Sequence, residues 1–342
     1  MSNSISYKDA GVDINVGNES VGKIKEKVKS TFGSGVVTGL GTFGAMFDLK
    51  EILKDYQEPI LVQSIDGVGT KLKIATAMNK FDTVGMDIVN HCCDDILSQG
   101  ARPLTFLDYI ASEKLLPENI ESMVSGMVSA CKEAGISLIG GETAEMPGVY
   151  AKGESDIAGC ILGIVDKNKI IDGQDIKTGD ILIGLKSSGL HTNGYSLARK
   201  LFFEIGKYKI DSKIPGLNKN VGDTLLEPHT NYTKLVLDLL ESGIEIKGIA
   251  HITGGGFIDN IPRILPSGCS VEIKERSWEV LPVFKVMQKL GDVEEMEMYR
   301  TFNMGIGMVL VVNRGDVDKV MERTDGKEIG RVTEGKKEVK FV

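Results

Sequence analysis

Acidic side chains stand beside glycine-rich backbone in three separate stretches of this sequence. Asp66 and Glu142 each follow a short apolar run, and Asp94 and Asp95 lie where the apolar spacing predicts a helix. Open α/β sheets usually place ligands at the ends of their strands, and Mg²⁺ takes a few carboxylates together with substrate phosphates. The spacing is therefore compatible with a magnesium–phosphate site, the alternative being solvated or helix-capping carboxylates.

The segment Gly39–Gly44 (GLGTFG) fits the pattern G-x-G-x-x-G. Only Val36 and Val37 precede it as a possible strand, so it is a weak dinucleotide-binding fingerprint. No V-A-I-K, H-R-D or D-F-G motif follows, so it is weaker still as a kinase loop. Because glycine permits close approach of backbone to phosphate, the segment is either a flexible turn or a phosphate-covering loop.

The sequence contains four histidines. His191 lies in the segment 187–194 (SSGLHTNG), just before a predicted helix. We expect it to be an exposed loop histidine that can move protons near neutral pH. His251 is more typical of a core histidine than of a catalytic one, and we interpret His91 and His229 as structural.

Two junctions between a glycine-rich loop and a helix could bind an anion, because a helix N-terminus presents unpaired N–H groups. One carries the hydroxyl of Thr192 and the amide of Asn193. The other is the segment 253–256 (TGGG) after a predicted strand. Arg300 and Asn303 place a cation and an amide beside a further glycine-rich strand entry, where Arg300 is either a substrate contact or an ordinary surface ion pair.

The chain has 342 residues, and alternating strand-like and helical patterns predict a mixed α/β protein of two domains, 1–168 and 169–342. The predicted strands are 59–65, 104–109, 135–139, 157–165, 181–185, 249–252, 271–273 and 308–312. The predicted helices are 86–98, 118–134, 195–203 and 233–240, with a short helix after the glycines at 254–256.

Charge and cysteine usage exclude several classes of protein. The formal net charge of −8 argues against extended binding to nucleic acid or to an anionic membrane. The five cysteines form no C-x-x-C pair and are typical of a reducing compartment. The polar N-terminus lacks a secretory signal, and the longest aliphatic run, 308–312, is too short to span a membrane. We therefore expect a cytoplasmic protein.

Eight segments, taken together and in order, resemble the phosphoribosylformylglycinamidine cyclo-ligases, also called aminoimidazole ribonucleotide synthetases. The combination of GGETAEMPG and YRTFNMG is highly specific, and the resemblance covers nearly the whole chain. The segments are YKDAGVDI (7–14), GLGTFG (39–44), DGVGTKLKIA (66–75), DILSQGARPLTFLDY (95–109), GGETAEMPGVY (140–150), SSGLHTNGYSL (187–197), HITGGGFIDNIPRILP (251–266) and EMYRTFNMGIGM (297–308).

The resemblance implies a two-domain PurM-like fold. Its N-terminal mixed sheet would form a barrel with a second copy in a homodimer, and its C-terminal domain would be a sheet with helices. It also implies that formylglycinamidine ribonucleotide and ATP give aminoimidazole ribonucleotide, ADP and phosphate in purine biosynthesis. An amide oxygen leaves poorly, so an iminophosphate intermediate would let it leave as phosphate. Mg²⁺ and backbone N–H groups would neutralise the phosphates.

The resemblance also assigns roles to residues. It implies that Asp66, Asp95 and Glu142 hold the metal, that Asp66 and Asp95 are catalytic, and that His191 transfers a proton. Lys71 would act as a point charge on phosphate oxygens. The residues implied in ATP binding are Gly39, Gly41, Thr42, Phe43, Gly44, Gly67, Gly69, Thr70, Lys71, Gly140 and Gly141. Those implied in substrate binding are Thr192, Asn193, Thr253, Gly254, Gly255, Gly256, Arg300 and Asn303.

One departure from the family pattern affects the metal ligands. Where the family commonly has Asn-Asp, this chain has Asp94-Asp95. The extra carboxylate would strengthen cation attraction or, if unpaired, raise a neighbouring pKa. The choice between the two stays open, and we take Asp95 by its spacing to Gly100 and Ala101.

Two other kinds of protein remain as alternatives. Other ATP-using members of the superfamily include selenophosphate synthetase, which normally has a reactive Cys near its N-terminus, whereas this chain has no Cys before Cys92. Thiamine-monophosphate kinase lacks the combination of GGETAEMPG and YRTFNMG. A nucleotide-binding regulatory protein without turnover is the alternative of a different class, and the carboxylate set and His191 argue against it.

Overall fold

The computed structural model describes residue 5 and residues 7–342, and it contains two sheets. The four-stranded sheet has the order β1-β4-β2-β3 and comprises β1 (Pro59–Gly67), β2 (Arg102–Ser112), β3 (Ser137–Glu145) and β4 (Ser155–Asp166). The six-stranded sheet has the order β10-β7-β9-β5-β8-β6 and comprises β5 (Ile181–Lys186), β6 (Ile246–His251), β7 (Cys269–Ile273), β8 (Ile306–Val312), β9 (Lys327–Glu334) and β10 (Val339–Phe341).

Helices accompany both sheets. Those of the N-terminal half are α1 (Ile14–Lys29), α2 (Leu72–Met78), α3 (Asp82–Leu97) and α4 (Pro117–Ala134). Those of the C-terminal half are α5 (Tyr195–Arg199), α6 (Val221–Leu225), α7 (Thr233–Glu241), α8 (Gly256–Ile264), α9 (Pro282–Gly291), α10 (Glu295–Thr301) and α11 (Val317–Arg323). Short 3₁₀ turns lie at Lys8–Ala10, Ile52–Asp55, Gly69–Lys71, Lys167–Lys169 and Arg314–Asp316.

The N-terminal sheet is covered by helices on one face only. Along β1 the side chains alternate, so that Val62 and Ser64 are half-buried on the face of α3, whereas Leu61 and Ile65 are 53% and 73% exposed on the other. Leu107 of β2 is also exposed on that outer face. An apolar sheet face of this kind is typical of an interface.

The helices α3 and α4 approach each other closely because glycines lie at their contact. A Cβ on Gly85 would lie 1.9 Å from the backbone oxygen of Met123, and one on Gly126 would lie 1.8 Å from that of Asp82. Any side chain at either position would push the helices apart. This packing fixes α3, which carries His91, Asp94 and Asp95.

The predicted α/β architecture is confirmed, but several predicted strands are longer than expected. Asp66 lies inside β1, and Gly140, Gly141 and Glu142 lie inside β3, whereas the sequence placed them in loops beyond strand ends. Pairing with neighbouring strands extends both strands through these polar residues. The predicted helix 195–203 is α5 followed by a π-helical segment, Lys200–Ile205.

The domain boundary at 168/169 stays a prediction, and it falls between β4 and β5. Sequence patterns missed α1, α2, α6, the helices after α8 and the last two strands. Within the residues that the structure describes, no helix is both long and apolar enough to cross a bilayer.

Candidate active site

Asp66 and Asp95 lie on either side of His91, at the junction between α3 and the end of β1. Oδ2 of Asp66 is 2.8 Å from Nε2 of His91, and Oδ2 of Asp95 is 3.8 Å from the same nitrogen. Oδ1 of Asp66 accepts a hydrogen bond from the backbone N–H of Gly67. Both carboxylates remain partly exposed, at 40% and 27% of their side chains.

Asp95 also connects the two halves of the chain. Its Oδ1 lies 2.9 Å from Nδ1 of His251, at the end of β6, and its Oδ2 accepts a hydrogen bond from Ser64. Burial by itself disfavours ionisation, but the histidine contacts prevail and lower the pKa of both Asp66 and Asp95. The two carboxylates are therefore ionised at neutral pH.

Asp94 points away from this pair. Its side chain is fully buried, with Oδ1 accepting the backbone N–H of Tyr232 and Oδ2 lying 3.2 Å from Nε2 of His229. Burial raises the pKa of Asp94 well above its usual range. Of the two neighbouring aspartates, Asp95 thus lies beside Asp66 and Asp94 does not.

Glu142 does not join Asp66 and Asp95 within one protomer. Across the four strands, Asp66 of β1 lies level with Gly159 of β4, Asp108 of β2 and Gly141 of β3. Glu142 is the residue after Gly141, so it is one position out of line with Asp66. Successive residues of a strand point to opposite faces, and three strand spacings separate β1 from β3 by about 14 Å. The expectation that three carboxylates form one site is therefore wrong for a single chain.

Glu142 instead lines a separate cleft of about 760 Å³ between α1, β3 and the 39–44 loop. The cleft contains the predicted residues Gly39, Gly41, Thr42, Phe43, Gly44, Gly140, Gly141 and Glu142. No helix directly follows this loop, which excludes a Rossmann arrangement, and Phe43 is fully exposed. A role as a phosphate-covering loop stays a prediction.

Asp108 is a residue of this cleft that sequence reasoning missed. Burial, together with the charge of Glu142, raises the pKa of Asp108 to about 7. Its side chain lies across the Cα of Gly141, where a Cβ would come within 2.3 Å of Oδ1. The signal in the sequence is a lone carboxylate within the otherwise apolar strand LTFLDYI.

Lys71 requires a correction. Its side chain is fully buried, with Nζ 2.7 Å from Oδ2 of Asp87, and it donates to the backbone oxygens of His191 and Glu227. The ammonium group thus donates two hydrogen bonds to backbone oxygens and forms an ion pair with Asp87. Lys71 is thus a structural cation and not a point charge on phosphate.

The neighbouring residues of the same turn remain available. Gly67 ends β1, Gly69 has a positive φ, and Thr70 is exposed with its hydroxyl 3.3 Å from that of Ser196. The turn therefore brings main chain of the N-terminal half to the first helix of the C-terminal half.

His191 is not the exposed histidine that the sequence predicted. It is fully buried, its ring stacks on that of His229 at 3.9 Å, and burial lowers its pKa well below the usual range. Its Nε2 faces the backbone N–H groups of Ser188 and Thr230 at 3.4 Å. The expectation of an exposed histidine is therefore wrong, and a role of His191 in proton transfer stays a prediction.

The two residues after His191 lie close to the group formed by Asp66, His91 and Asp95. Oγ1 of Thr192 lies 2.6 Å from Nδ1 of His91, and a Cβ on Gly254 would lie 3.3 Å from Oδ1 of Asn193. The 187–194 loop is therefore in contact with the carboxylate–histidine cluster on one side and the glycine segment before α8 on the other.

The N-terminus of α8 is formed by the predicted segment Thr253–Gly256. Gly256 has a φ of 56°, and a Cβ there would lie 2.0 Å from the backbone oxygen of Tyr299, so only glycine fits. The amide of Asn260 donates to the oxygens of Thr253, Gly254 and Gly256 and orders the turn.

Arg300 is exposed near the first turn of α8, with Nε 3.8 Å from Oδ2 of Asp259. Asn303, by contrast, is buried. Its Nδ2 donates to the oxygen of Gly189, and its Oδ1 accepts from Ser187 and from the N–H of Gly305. Asn303 thus holds the 187–194 loop in place, and its predicted contact with substrate is corrected.

All four histidines meet at the junction of the two halves. His91, which comes from α3, lies with His229 and His251 at ring-centroid distances between 5.1 and 5.4 Å. The interpretation of His91 and His229 as structural residues did not foresee this cluster, because their contact depends on tertiary packing alone.

Asp66 and Asp95 fit a divalent cation with oxygen ligands. Both carboxylates are ionised and partly exposed. Their Oδ2 atoms lie 2.8 and 3.8 Å from Nε2 of His91, which stands between them. Glu142 does not fit the same ion in one protomer, for the register reason given above.

The sequence matches two family models. The model described as "AIR synthase related protein, N-terminal domain" covers residues 51–165, and the corresponding C-terminal domain covers 177–342. A phosphoribosylformylglycinamidine cyclo-ligase of Thermoanaerobacter sp. (strain X514) is 52% identical over 94% of each chain. One of Alkaliphilus oremlandii is 50% identical over 98% of this chain and 99% of its own.

Solved structures share the fold at lower identity. E. coli HypE has a TM-score of 0.67 and 18% identity, covering 96% of this chain and 93% of that one. Thiamine-monophosphate kinase of Stenotrophomonas maltophilia has a TM-score of 0.66 and 15% identity, covering 93% and 95%. A HypE structure in complex with ATP has a TM-score of 0.62 and 15% identity, covering 97% and 87%. By its identity to the curated relatives over nearly its full length, this chain belongs to the phosphoribosylformylglycinamidine cyclo-ligase family.

Proposed function

We propose that this chain catalyses the ATP-dependent closure of formylglycinamidine ribonucleotide to aminoimidazole ribonucleotide, a step of purine biosynthesis. The observation that carries the proposal is about 50% identity over nearly the full length to cyclo-ligases. The complex of HypE with ATP supports a nucleotide as the second substrate.

The chemistry proceeds in two steps. The formamide oxygen attacks the γ-phosphorus, the bond between γ-phosphorus and ADP oxygen breaks, the formamide nitrogen releases its proton, and an iminophosphate forms. The amidine nitrogen then attacks the activated carbon, the carbon–oxygen bond breaks, phosphate leaves, and the ring nitrogen loses a proton. Phosphoryl transfer of this type depends mainly on positioning and on neutralising charge.

The described residues divide this work between two regions. The cleft beneath the 39–44 loop would hold the nucleotide, with Gly140 and Gly141 allowing close approach of main chain. Asp66 and Asp95, in the other region, would hold Mg²⁺, which would supply positive charge there when bound. No described Ser-His or Cys-His pair is required as a covalent nucleophile.

The ribose 5′-phosphate would bind at the N-terminus of α8. The backbone N–H groups at the start of this helix, whose N-cap Gly255 makes no side-chain capping hydrogen bond, suit a phosphate together with the exposed cation of Arg300. Thr192 and Asn193, between this turn and the carboxylates, would orient the reacting end of the substrate.

We also propose a homodimer in a reducing, cytoplasmic location. The uncovered apolar face of the N-terminal sheet provides the contact, and a C₂ arrangement is the commonest closed form. All five cysteines are free thiols, and burial raises the pKa of Cys92 and Cys93.

The decisive experiment mixes pure protein with formylglycinamidine ribonucleotide, ATP and Mg²⁺ and follows ADP and aminoimidazole ribonucleotide together. Equimolar appearance of both products supports the proposal. ATP binding without either product would refute it and favour a nucleotide-binding protein without turnover.

A further inference from the structure

The side-chain amide of Asn260, in the second turn of α8, holds the glycine turn at the start of that helix. Its Nδ2 donates to the backbone oxygens of Thr253, Gly254 and Gly256 at 3.2, 3.2 and 2.8 Å. Its Oδ1 accepts from the hydroxyl of Thr253 at 3.4 Å. Asn260 is only 3% exposed. One buried amide therefore gathers the carbonyl groups of three peptide bonds on its own side of the turn.

The direction of these carbonyl groups fixes the direction of the N–H groups. Every peptide bond in the described part of the chain is trans, and the C=O and N–H of a trans peptide point in opposite directions. The N–H groups of Gly254 and Gly255 share peptide groups with the oxygens of Thr253 and Gly254, so they point away from the buried amide. Gly255, the N-cap, has no side chain that could cap the helix, so an anion can take that place.

The backbone of the turn has the shape of an anion-binding concavity. Gly255 is left-handed, with φ 97° and ψ −10°, and successive N–H groups beside such a residue converge on one anion. A Cβ on Gly255 would lie 2.6 Å from the Cβ of Asp259, so a larger residue would displace the turn. Main-chain geometry, and not a lining side chain, thus forms the contact with the anion.

The side-chain charges beside the turn offset each other. Arg300 is 64% exposed, and its Nε lies 3.8 Å from Oδ2 of Asp259, which is 47% exposed. A carboxylate so close to the guanidinium offsets part of the attraction that Arg300 exerts on a phosphate. A preference for a phosphate group therefore depends strongly on the directions of the main-chain N–H groups.

We propose that Asn260 is a positioning residue that directs the N–H groups of Gly254 and Gly255 towards the 5′-phosphate, and that it thereby selects the phosphorylated substrate over its nucleoside. This inference rests on the proposed function, in which the ribose 5′-phosphate binds at the start of α8. Without the amide of Asn260, the three carbonyl oxygens would turn towards other donors, and the N–H groups would no longer converge.

The test compares formylglycinamidine ribonucleotide with its ribonucleoside, which lacks the 5′-phosphate, each in the presence of ATP and Mg²⁺. Asn260→Leu fills about the same space without a hydrogen-bond donor. Its ratio of kcat/KM for the ribonucleotide to kcat/KM for the ribonucleoside should fall about tenfold or more, with KM for ATP unchanged. A merely structural role would lower kcat/KM for both substrates by the same factor and leave the ratio as it is.

Two further variants complete the comparison. Asn260→Asp keeps the shape of the side chain but replaces the donating NH₂ with an oxygen, and its ratio should also fall. Asn220→Ala is the matched control, because Asn220 also supports the start of a helix, its Oδ1 accepting the N–H of Asp223 at 2.8 Å. That helix, α6, contains no residue that we assign to substrate, so the ratio should equal that of the wild type.

A second measurement needs no turnover. Ribose 5-phosphate, titrated alone into the full-length protein by calorimetry, should bind the wild type about tenfold or more tightly than it binds Asn260→Leu.

The inference is overturned if the substrate ratio is unchanged in Asn260→Leu and Asn260→Asp, if the wild type does not bind ribose 5-phosphate, or if both variants bind it as tightly as the wild type. A wild type without turnover, together with weakened binding of ribose 5-phosphate in both variants, would refute the cyclo-ligase proposal and support the role of Asn260. The two failures are therefore distinguishable.

Discussion

The ammonium of Lys71 lies 2.7 Å from the carboxylate of Asp87, and neither side chain is exposed to solvent. Burial lowers the pKa of Lys71 and raises that of Asp87, whereas the short contact between opposite charges opposes both shifts. The pair fastens the turn after β1 to α3 and to the loop that carries His191.

Lys71→Met should therefore destabilise the protein strongly. Removing one partner leaves a buried charge uncompensated, which costs about 3–5 kcal/mol, and adding Asp87→Leu should recover part of it. Urea unfolding followed by circular dichroism measures the change. Lys23→Met removes an exposed pair with Glu118 and should change stability by about 0.5 kcal/mol or less. Equal losses in both single variants would contradict the structural role.

Asp95→Asn should lower cyclo-ligase turnover by about 100-fold or more, because a neutral amide binds a hard cation far less well. Steady-state ADP release is the measurement, with circular dichroism to verify the fold. Glu118→Gln, an exposed substitution on α4, should leave turnover unchanged. Full activity of Asp95→Asn would remove Asp95 from the proposed metal site.

Asp108 should make stability fall as pH rises. Its folded pKa of about 7 exceeds the unfolded value of about 3.9, so the folded state holds a proton that unfolding releases. The stabilising contribution is complete below about pH 4 and is lost by about pH 7.

Asp108→Asn should remove this dependence. Relative to wild type, its urea midpoint should be higher at about pH 8 than at about pH 5. Asp238→Asn, at an exposed position of α7, should follow the wild-type profile at both values. Parallel profiles for Asp108→Asn and wild type would show that Asp108 titrates normally.

Arg300→Ala should raise KM for formylglycinamidine ribonucleotide about tenfold and leave KM for ATP unchanged. The guanidinium is near the N-terminus of α8, where we place the ribose phosphate, and a charged hydrogen bond contributes about 1.5 kcal/mol or more. Arg314→Ala, a distant exposed arginine, serves as the control. An increase in KM for ATP instead would move Arg300 to the nucleotide.

Ile65→Asp should dissociate the proposed dimer. A charge on the uncovered face of β1 would be buried without a partner in the interface. Analytical ultracentrifugation should show a dimer for wild type and a monomer for the variant. Val149→Asp places the same charge at a residue of similar exposure outside the strands and should stay dimeric. A monomeric wild type would refute the proposed homodimer.

The sequence determined the α/β class, most of the strands, the family and the aspartate that lies beside Asp66. Apolar periodicity and glycine-rich junctions carry this information locally, since they depend on the spacing of neighbouring residues. Because local spacing does not show how strands pair, the sequence predicted that β1 and β3 end before Asp66 and Glu142. Pairing with neighbouring strands extends both strands through these residues.

Tertiary structure alone decided which side chains share a site. Strand register places Glu142 on the face opposite Asp66, and contacts between distant segments bury Lys71, which the resemblance had assigned to phosphate, and His191, which the sequence had predicted to be exposed. The convergence of four histidines from four distant segments depends on such contacts as well. Contacts between residues far apart in the chain, and the burial that shifts their pKa values, exist only once both halves have folded together.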